Sequence, residues 1–377
     1  MRSFVNISFV HKSYIVLFSF VLLTVSCNKK PSTISRPAFS ADSAYAYIEK
    51  QMSFGPRVPN SAAHTQCAVW LIEQLRAFGA EVELQKGYMP DFRGNNQQIY
   101  NIIGHFSPSL EGVKSSARSD AQWSSVEQSG EGLSRPRILL GAHYDCRPWC
   151  DEEENYADRF YNVPGANDGA SGVGVLLEVA RQLGLRMQDT VSSLERRSGG
   201  LSTPVDIVFF DCEDSGSPKL YTGPEREDTW CLGSQLWATN YAQNKLATKN
   251  SSTSLNAQHS TLNYSFGIIL DMVGAPDAVF PMEMYSYQYA ENYQYKIWRS
   301  AEKLGYGSIF SNHHSYPITD DHYYINVIAG IPCVDVIHYD VRNATGFPSW
   351  WHTRNDDMSN ISKSTLQAVG EVIMSQL

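Results

Sequence analysis

Four short apolar runs constrain this chain more than any other feature. Residues 137–142 (RILLGA), 205–210 (VDIVFF), 265–270 (SFGIIL) and 332–337 (PCVDVI) are rich in branched and aromatic side chains and lack the polar alternation of a half-solvated strand. Runs of that kind are strands buried on both faces, which requires helices on each side of the sheet. The intervening sequence supplies helices. Residues 41–52 form one. Residues 62–78 form another, with Val69, Leu71, Ile72 and Leu75 at helical spacing and Gly79 as the stop. Residues 172–183 and 361–376 form two more, while 81–85 and 98–103 alternate as strands do. Strands alternating with helices predict the α/β class: three layers, α/β/α, around a mixed but mostly parallel sheet.

The chain has 377 residues, 42% of them hydrophobic and 18% charged, and shows no internal repeat, so residues 40–377 are read as a single catalytic domain. Segments 107–136, 189–203 and 244–261 are rich in Ser, Gly, Asn and Gln without apolar periodicity and read as surface insertions. A net charge of -9 argues against a nucleic-acid partner, which needs a basic face. The 21 Tyr and 8 Trp suit an aromatic-lined pocket or ordinary packing equally well.

The first residues have export character. Arg2, His11 and Lys12 precede an apolar run from Tyr14 to Val25, too short to span a bilayer comfortably. Leu23-Thr-Val-Ser-Cys27 then resembles a bacterial lipobox, so residues 1–27 read as a signal peptide, Cys27 as a lipidated mature N-terminus and 28–39 as a polar tether. The expectation is an exported, periplasmic, lipid-anchored protein that works as a monomer. Cys67, Cys146, Cys150, Cys212, Cys231 and Cys333 remain in a compartment that permits disulfides. Cys146 and Cys150 are close enough in sequence to pair, but spacing does not fix pairing, and a zinc site on them lacks a second Cys/His pair.

Acid and histidine residues follow the predicted strands. His143 and Asp145 follow the first buried run, Asp211, Glu213 and Asp214 the second, Asp271 the third, and His352 lies beyond the fourth. Asp168 opens the helix at Gly172. In an open α/β sheet, ligands bind outside the carboxyl ends of the strands. Singly, Asp168 reads as a helix cap and His352 as a structural histidine. Together they are mixed N and O donors suited to Zn²⁺, and a cation relieves the mutual repulsion of the carboxylates.

Gly141-Ala-His143-Tyr-Asp145, Gly165-Ala-Asn-Asp168-Gly-Ala-Ser-Gly172, Phe209-Phe-Asp-Cys-Glu213-Asp214 and Trp351-His352-Thr353 occur in the order found in zinc-dependent aminopeptidase-like enzymes, which the chain resembles over residues 40–377. Within that superfamily it is most similar to the animal-type glutaminyl cyclases and their bacterial relatives, through Leu270-Asp271-Met-Val-Gly-Ala-Pro276, Asp320-Asp321-His322 and Phe347-Pro-Ser-Trp-Trp351-His352-Thr353.

The resemblance implies one zinc ion on Asp168, Asp214 and His352. It implies Glu213 as general acid/base, with Asp271 and Asp320 as a carboxylate network beside it. Trp351, Phe347, Trp230 and His143 would meet the substrate, a peptide or protein with N-terminal Gln. The Glu213-Asp214 pair departs from the two glutamates of the animal enzymes, and the spacing to Trp230 also differs. Cyclisation to pyroglutamate needs no Ser or Cys nucleophile, so Cys212 reads as a small strand-end residue. Two other functions compete. A two-zinc aminopeptidase would add a second ion through His143 and Asp271, with Asp168 bridging. A non-catalytic binding lipoprotein would have lost ligands, and none is lost.

Overall fold

The computed structural model describes residues 37–108, 135–192, 203–224, 226, 228–250 and 262–377, all within the unit Arg36–Leu377. The signal segment, Cys27 and most of the first insertion lie outside the described residues. No described helix is long and apolar enough to cross a membrane.

A six-stranded sheet forms the middle layer. In chain order its strands are β1 (Glu81–Pro90), β2 (Asn96–Phe106), β3 (Arg137–His143), β4 (Val205–Phe210), β5 (Tyr264–Asp271) and, after two short strands described below, β8 (Cys333–Ile337). Their spatial order is β1-β2-β4-β3-β5-β8. The first two pairs are antiparallel and the remaining three parallel, which gives the expected mixed sheet. The four apolar runs are its four parallel strands, β4, β3, β5 and the edge strand β8, and β3 and β4 are buried at every position.

Alternation along these strands divides the core between two faces. Ile138, Leu140, Ile207, Phe209, Ile268, Leu270, Val334 and Val336 point into the larger cluster. There they meet α1 (Ala41–Met52), α2 (Ala62–Ala77), α3 (Ala170–Ser192), α5 (Met284–Leu304) and α7 (Lys363–Met374). Leu139, Val208, Phe210, Ile269 and Cys333 point the other way, with Trp237 of α4 (Leu232–Asn250) and with Ile325, which follows α6 (Asp321–Tyr324) and starts a π-helical turn, Ile325–Ala329. Truncating a fully buried leucine such as Leu140 to alanine costs about 2–5 kcal/mol.

The structure extends and corrects the sequence reading in three places. β1 and β2 run past their predicted ends to form a long antiparallel ribbon. α4 occupies residues 232–250, so the segment read as a third insertion begins as helix. α3 continues to Ser192, into the segment read as the second insertion. α5 and the two-stranded sheet of β6 (Phe280–Met282) and β7 (Phe310–His314) carry no strong periodic signal and were not expected. All six described cysteines are buried and free, so Cys146 and Cys150 do not pair.

Two close approaches fix the helix that matters for the site. A Cβ on Gly172 would sit 2.2 Å from the Leu270 carbonyl oxygen, so only glycine lets the first turn of α3 lie on the end of β5. Gly169 has φ +75°, and a Cβ there would lie 2.9 Å from His143 and from the Asp145 carbonyl. Both glycines pull Asp168 toward the sheet edge.

Candidate metal and catalytic site

His143 ends β3, Asp271 ends β5, and Glu213 and Asp214 lie in the turn after β4. The parallel strands deliver these groups to one edge because they all finish there. His352 arrives on the long segment after β8, in a left-handed conformation with φ +52°. Cys212, Cys231 and Met272 share that uncommon geometry at φ +56°, +55° and +50°. Such strain collects where surrounding structure over-determines the backbone.

Buried polar anchors hold the loops. Arg57 donates from Nε to the Tyr144 carbonyl and from its terminal nitrogens to the carbonyls of Pro164 and Gly165, tying the β3 end to the Asp168 loop. Asp356 accepts from the amides of Asn167 at 2.8 Å and Asp168 at 3.1 Å. Asp145 accepts from the amides of Glu213 at 3.1 Å and Asp214 at 3.3 Å. Arg147 donates to the Asp214 carbonyl at 3.1 Å and stacks 4.5 Å over the Trp230 ring.

Around these anchors the expected ligands converge. Donor atoms of Asp168, Asp214 and His352 lie within 4.8 Å of one another, and all three residues are buried. His352 Nε2 is 3.1 Å from Asp214 Oδ1 and 3.4 Å from Asp168 Oδ2. Asp214 Oδ2 is buried with no hydrogen-bond partner among the described residues, which leaves an oriented lone pair in a dry site. Two carboxylates, one of them with an orphaned oxygen, and one imidazole fit Zn²⁺, which takes such donors in a compact tetrahedral set.

Protonation follows from the same geometry. Burial alone would lower His352, but the charge of Asp214 and hydrogen bonds to Asp168 and Asp214 outweigh it and hold the imidazole at about 9. Asp168 is held well below the usual carboxylate range: burial opposes this, and hydrogen bonds from His143 and His352 win. A cation competes with protons for such a pocket.

A second group adjoins the first. His143 Nε2 is 3.1 Å from Asp168 Oδ1 and 3.2 Å from Asp271 Oδ1, so Asp168 faces both histidines. Burial, with Asp168 adding repulsion and His143 opposing, pushes Asp271 up to about 7. Glu213 is pushed well above its usual value, first by burial and then by the neighbouring Asp214 charge. A carboxylate oxygen of Asp320 lies within 4.8 Å of one on Glu213, and burial raises Asp320 as well. The structure thus brings Asp320 beside Glu213 and sets Asp271 against His143.

Trp351 stacks on the His352 ring at 3.7 Å, and Phe347 packs on Trp351 at 4.4 Å. Met272, Ile318, Ile337 and Tyr339 back this pair and complete an apolar wall. Trp230 lies parallel to the His352 ring at 6.4 Å. Other acids and histidines of the motifs serve the fold. Asp211 accepts from His64 Nε2 and the Tyr100 amide, both at 2.8 Å. His322 Nε2 bonds Glu283 at 2.9 Å. Burial pushes the Cys212 thiol well above its usual range, as expected of a strand-end residue rather than a nucleophile.

Arg57, Arg147, Asp356 and Cys231 shape the site without having been singled out by the sequence. Gly55-Pro56-Arg57 and the acid four residues after His352 were the available signals. Neither shows what its side chain reaches.

A three-layer α/β fold that gathers two carboxylates and a histidine at the end of its parallel strands defines the zinc exopeptidase-like class. The chain belongs to peptidase family M28, whose family model matches residues 125–377. Among solved structures, a glutaminyl cyclase of Bacteroides thetaiotaomicron is 38% identical, covering 90% of this chain and 98% of that one at a TM-score of 0.73. A Zn-dependent exopeptidase of Parabacteroides distasonis is 37% identical, covering 91% and 99% at a TM-score of 0.73. The glutaminyl-peptide cyclotransferase of the snake Boiga irregularis is 23% identical over 249 residues, which are 64% of this chain. The match spans 61% of that relative's length, less than two thirds of it.

Proposed function

We propose that this chain is a glutaminyl-peptide cyclotransferase, converting N-terminal glutamine of peptides or proteins to pyroglutamate with release of ammonia. The observation that carries the reading is the Asp320 carboxyl set against Glu213 beside the metal-binding trio. Similarity to bacterial glutaminyl cyclases across nearly their whole length supports it.

Asp168, Asp214 and His352 would hold the zinc, which would supply Lewis acidity for the carboxamide. The substrate's α-amine attacks the carbonyl carbon of its own γ-carboxamide, so a C–N bond forms within the substrate and the bond from that carbon to the departing nitrogen breaks. Glu213 takes the proton from the attacking amine and returns it to the leaving nitrogen, which departs as ammonia. A raised pKa suits both halves of that transfer near neutral pH. Burial raises both Asp320, which lies beside Glu213, and Asp271, which faces His143, above the usual carboxylate range, which lessens the negative charge around the site. Trp351 and Phe347 hold the glutamine side chain folded against the amine and keep water out, which matters because a ring closure gains most of its rate from orientation.

The His143, Asp168 and Asp271 group favours a second reading, a two-zinc aminopeptidase in which Asp168 bridges and Glu213 activates water. Metal analysis and the Glu213→Gln variant separate the two. The cyclase binds about one zinc per chain, and Glu213→Gln keeps that zinc and releases no ammonia from a Gln-peptide. A second tightly held ion favours the peptidase, and a variant that still turns over removes Glu213 from its role. The proposal extends to an exported monomer anchored through lipidated Cys27, supported by the basic and apolar leader. Metabolic labelling with a fatty acid, lost in Cys27→Ala, tests that part.

A further inference from the structure

We infer that Cys231 is a positioning residue for Glu213, its thiol donating to Glu213 Oε1 and holding that carboxylate in the orientation used for proton transfer. The inference rests on the reading of Glu213 as acid/base. The Cys231 Sγ lies 3.2 Å from Glu213 Oε1, and it is the hydrogen-bond partner that the described residues give this carboxylate. The two residues are joined a second time, by the Cys231 amide donating to the Glu213 carbonyl at 2.8 Å. The Leu232 amide bonds the Cys212 carbonyl at 3.1 Å, so the start of α4 is laced to the turn that carries Glu213.

Cys231 has φ +55°, a conformation uncommon for any residue with a Cβ. Its carbonyl accepts from Ser234 Oγ and the Gln235 amide, both at 3.1 Å, while Gln235 Nε2 bonds the carbonyls of Asp228 and Trp230 at 2.8 Å. These bonds hold the strained residue in place, and with it the thiol.

Two effects compete for the thiol proton. The N-terminal end of α4 favours a thiolate, whereas complete burial and the nearby carboxylates favour the neutral group. Burial wins, so the sulfur keeps its proton and can donate it. Glu213 needs that donor. Asp214 is its neighbour, and an oxygen of Asp320 lies within 4.8 Å. An unanchored glutamate would turn away from the Asp214 carboxylate, and displacement by about an ångström is enough to spoil a proton transfer. A cysteine that merely fills space at the helix start would leave turnover untouched when replaced by a residue that folds.

The test uses the zinc-loaded full chain and a short peptide with N-terminal Gln. Cys231→Ala lowers kcat about tenfold, equal to about 1.4 kcal/mol, and changes KM by less than about twofold. Cys231→Ser, whose hydroxyl also donates, recovers kcat to within about threefold of the parent. The S–H stretch of Cys231, identified by difference from Cys231→Ala, moves toward the free-thiol frequency in Glu213→Gln. An unchanged kcat in Cys231→Ala, or an S–H band indifferent to Glu213, overturns the inference. If the parent enzyme releases no ammonia, the proposed function fails instead, and the S–H band still decides whether Cys231 serves Glu213. Assigning the band takes one Cys231 variant that folds, so instability of Cys231→Ala moves the assignment to Cys231→Ser.

Discussion

Replacing His105 with glutamine should destabilise the protein at mildly acid pH and leave it almost unaffected at alkaline pH. His105 lies on β2, where its Nδ1 bonds Asp206 Oδ1 at 2.8 Å. Asp206, at the start of β4, also takes Arg137 of β3 and the Tyr264 hydroxyl of β5, so one buried carboxylate ties four adjacent strands at the end of the sheet away from the metal site. Burial lowers the His105 pKa, but the hydrogen bond to Asp206 and the Glu83 carboxylate 3.7 Å from Nε2 outweigh it and raise the imidazole from 6.5 to about 9.

The folded protein therefore holds this proton more tightly than the unfolded chain does. The stabilisation is complete below the unfolded value near 6.5 and is lost as pH rises through about 9. A shift of that size is worth at most about 3 kcal/mol. Asp206 keeps Arg137 and Tyr264 when His105 is removed, so we expect His105→Gln to lose about 2 kcal/mol near pH 6 and under about 0.5 kcal/mol near pH 10. Urea unfolding of the two zinc-loaded proteins at each pH measures the difference. An equal loss at both values would refute the reasoning, because the effect would then be packing and not charge.

Two further predictions concern other buried groups. Asp356→Asn leaves one of the Asn167 and Asp168 amides without a carboxylate oxygen, and zinc affinity measured by chelator competition should fall about 10–100-fold with the circular dichroism spectrum retained. Unchanged affinity would show that the Asp168 loop is held without it. His338 behaves oppositely to His105: burial, only partly opposed by Asp340 and Asp277, lowers it to about 4. The native state refuses this proton, so stability falls as pH drops from about 6.5 to about 4, by at most about 3 kcal/mol, and His338→Gln should flatten that limb of the acid unfolding curve.

The layers and the convergence of the candidate ligands were legible in the sequence for the same reason. Strands buried on both faces cannot hide, since runs such as VDIVFF are apolar at nearly every position with no polar alternation, and the acids of a sheet-edge site must follow them directly. α5 was not legible, because its apolar stripe of Ile297, Trp298, Ala301 and Leu304 follows a tyrosine-rich first half whose buried positions are Ser286, Ala290 and Gln294. α4 begins as Leu232-Gly-Ser-Gln and turns polar, so its later residues read as a loop. Arg57, Asp356 and Cys231 were hidden for a different reason. Their partners are main-chain groups or a side chain remote in sequence, and local pattern carries no trace of such contacts. The choice of one metal or two was equally out of reach, since Asp168 faces both histidines in either case.

The central claim is cyclisation, and the most direct measurement offers the zinc-loaded chain two peptides that differ only in an N-terminal Gln or Leu. Ammonia and free amino acid are followed together by enzyme-coupled assay and mass spectrometry. The account predicts one ammonia and one pyroglutamyl peptide for each Gln-peptide consumed, and nothing from the Leu-peptide. Free leucine, with no ammonia from the Gln-peptide, would contradict it and make the chain an aminopeptidase.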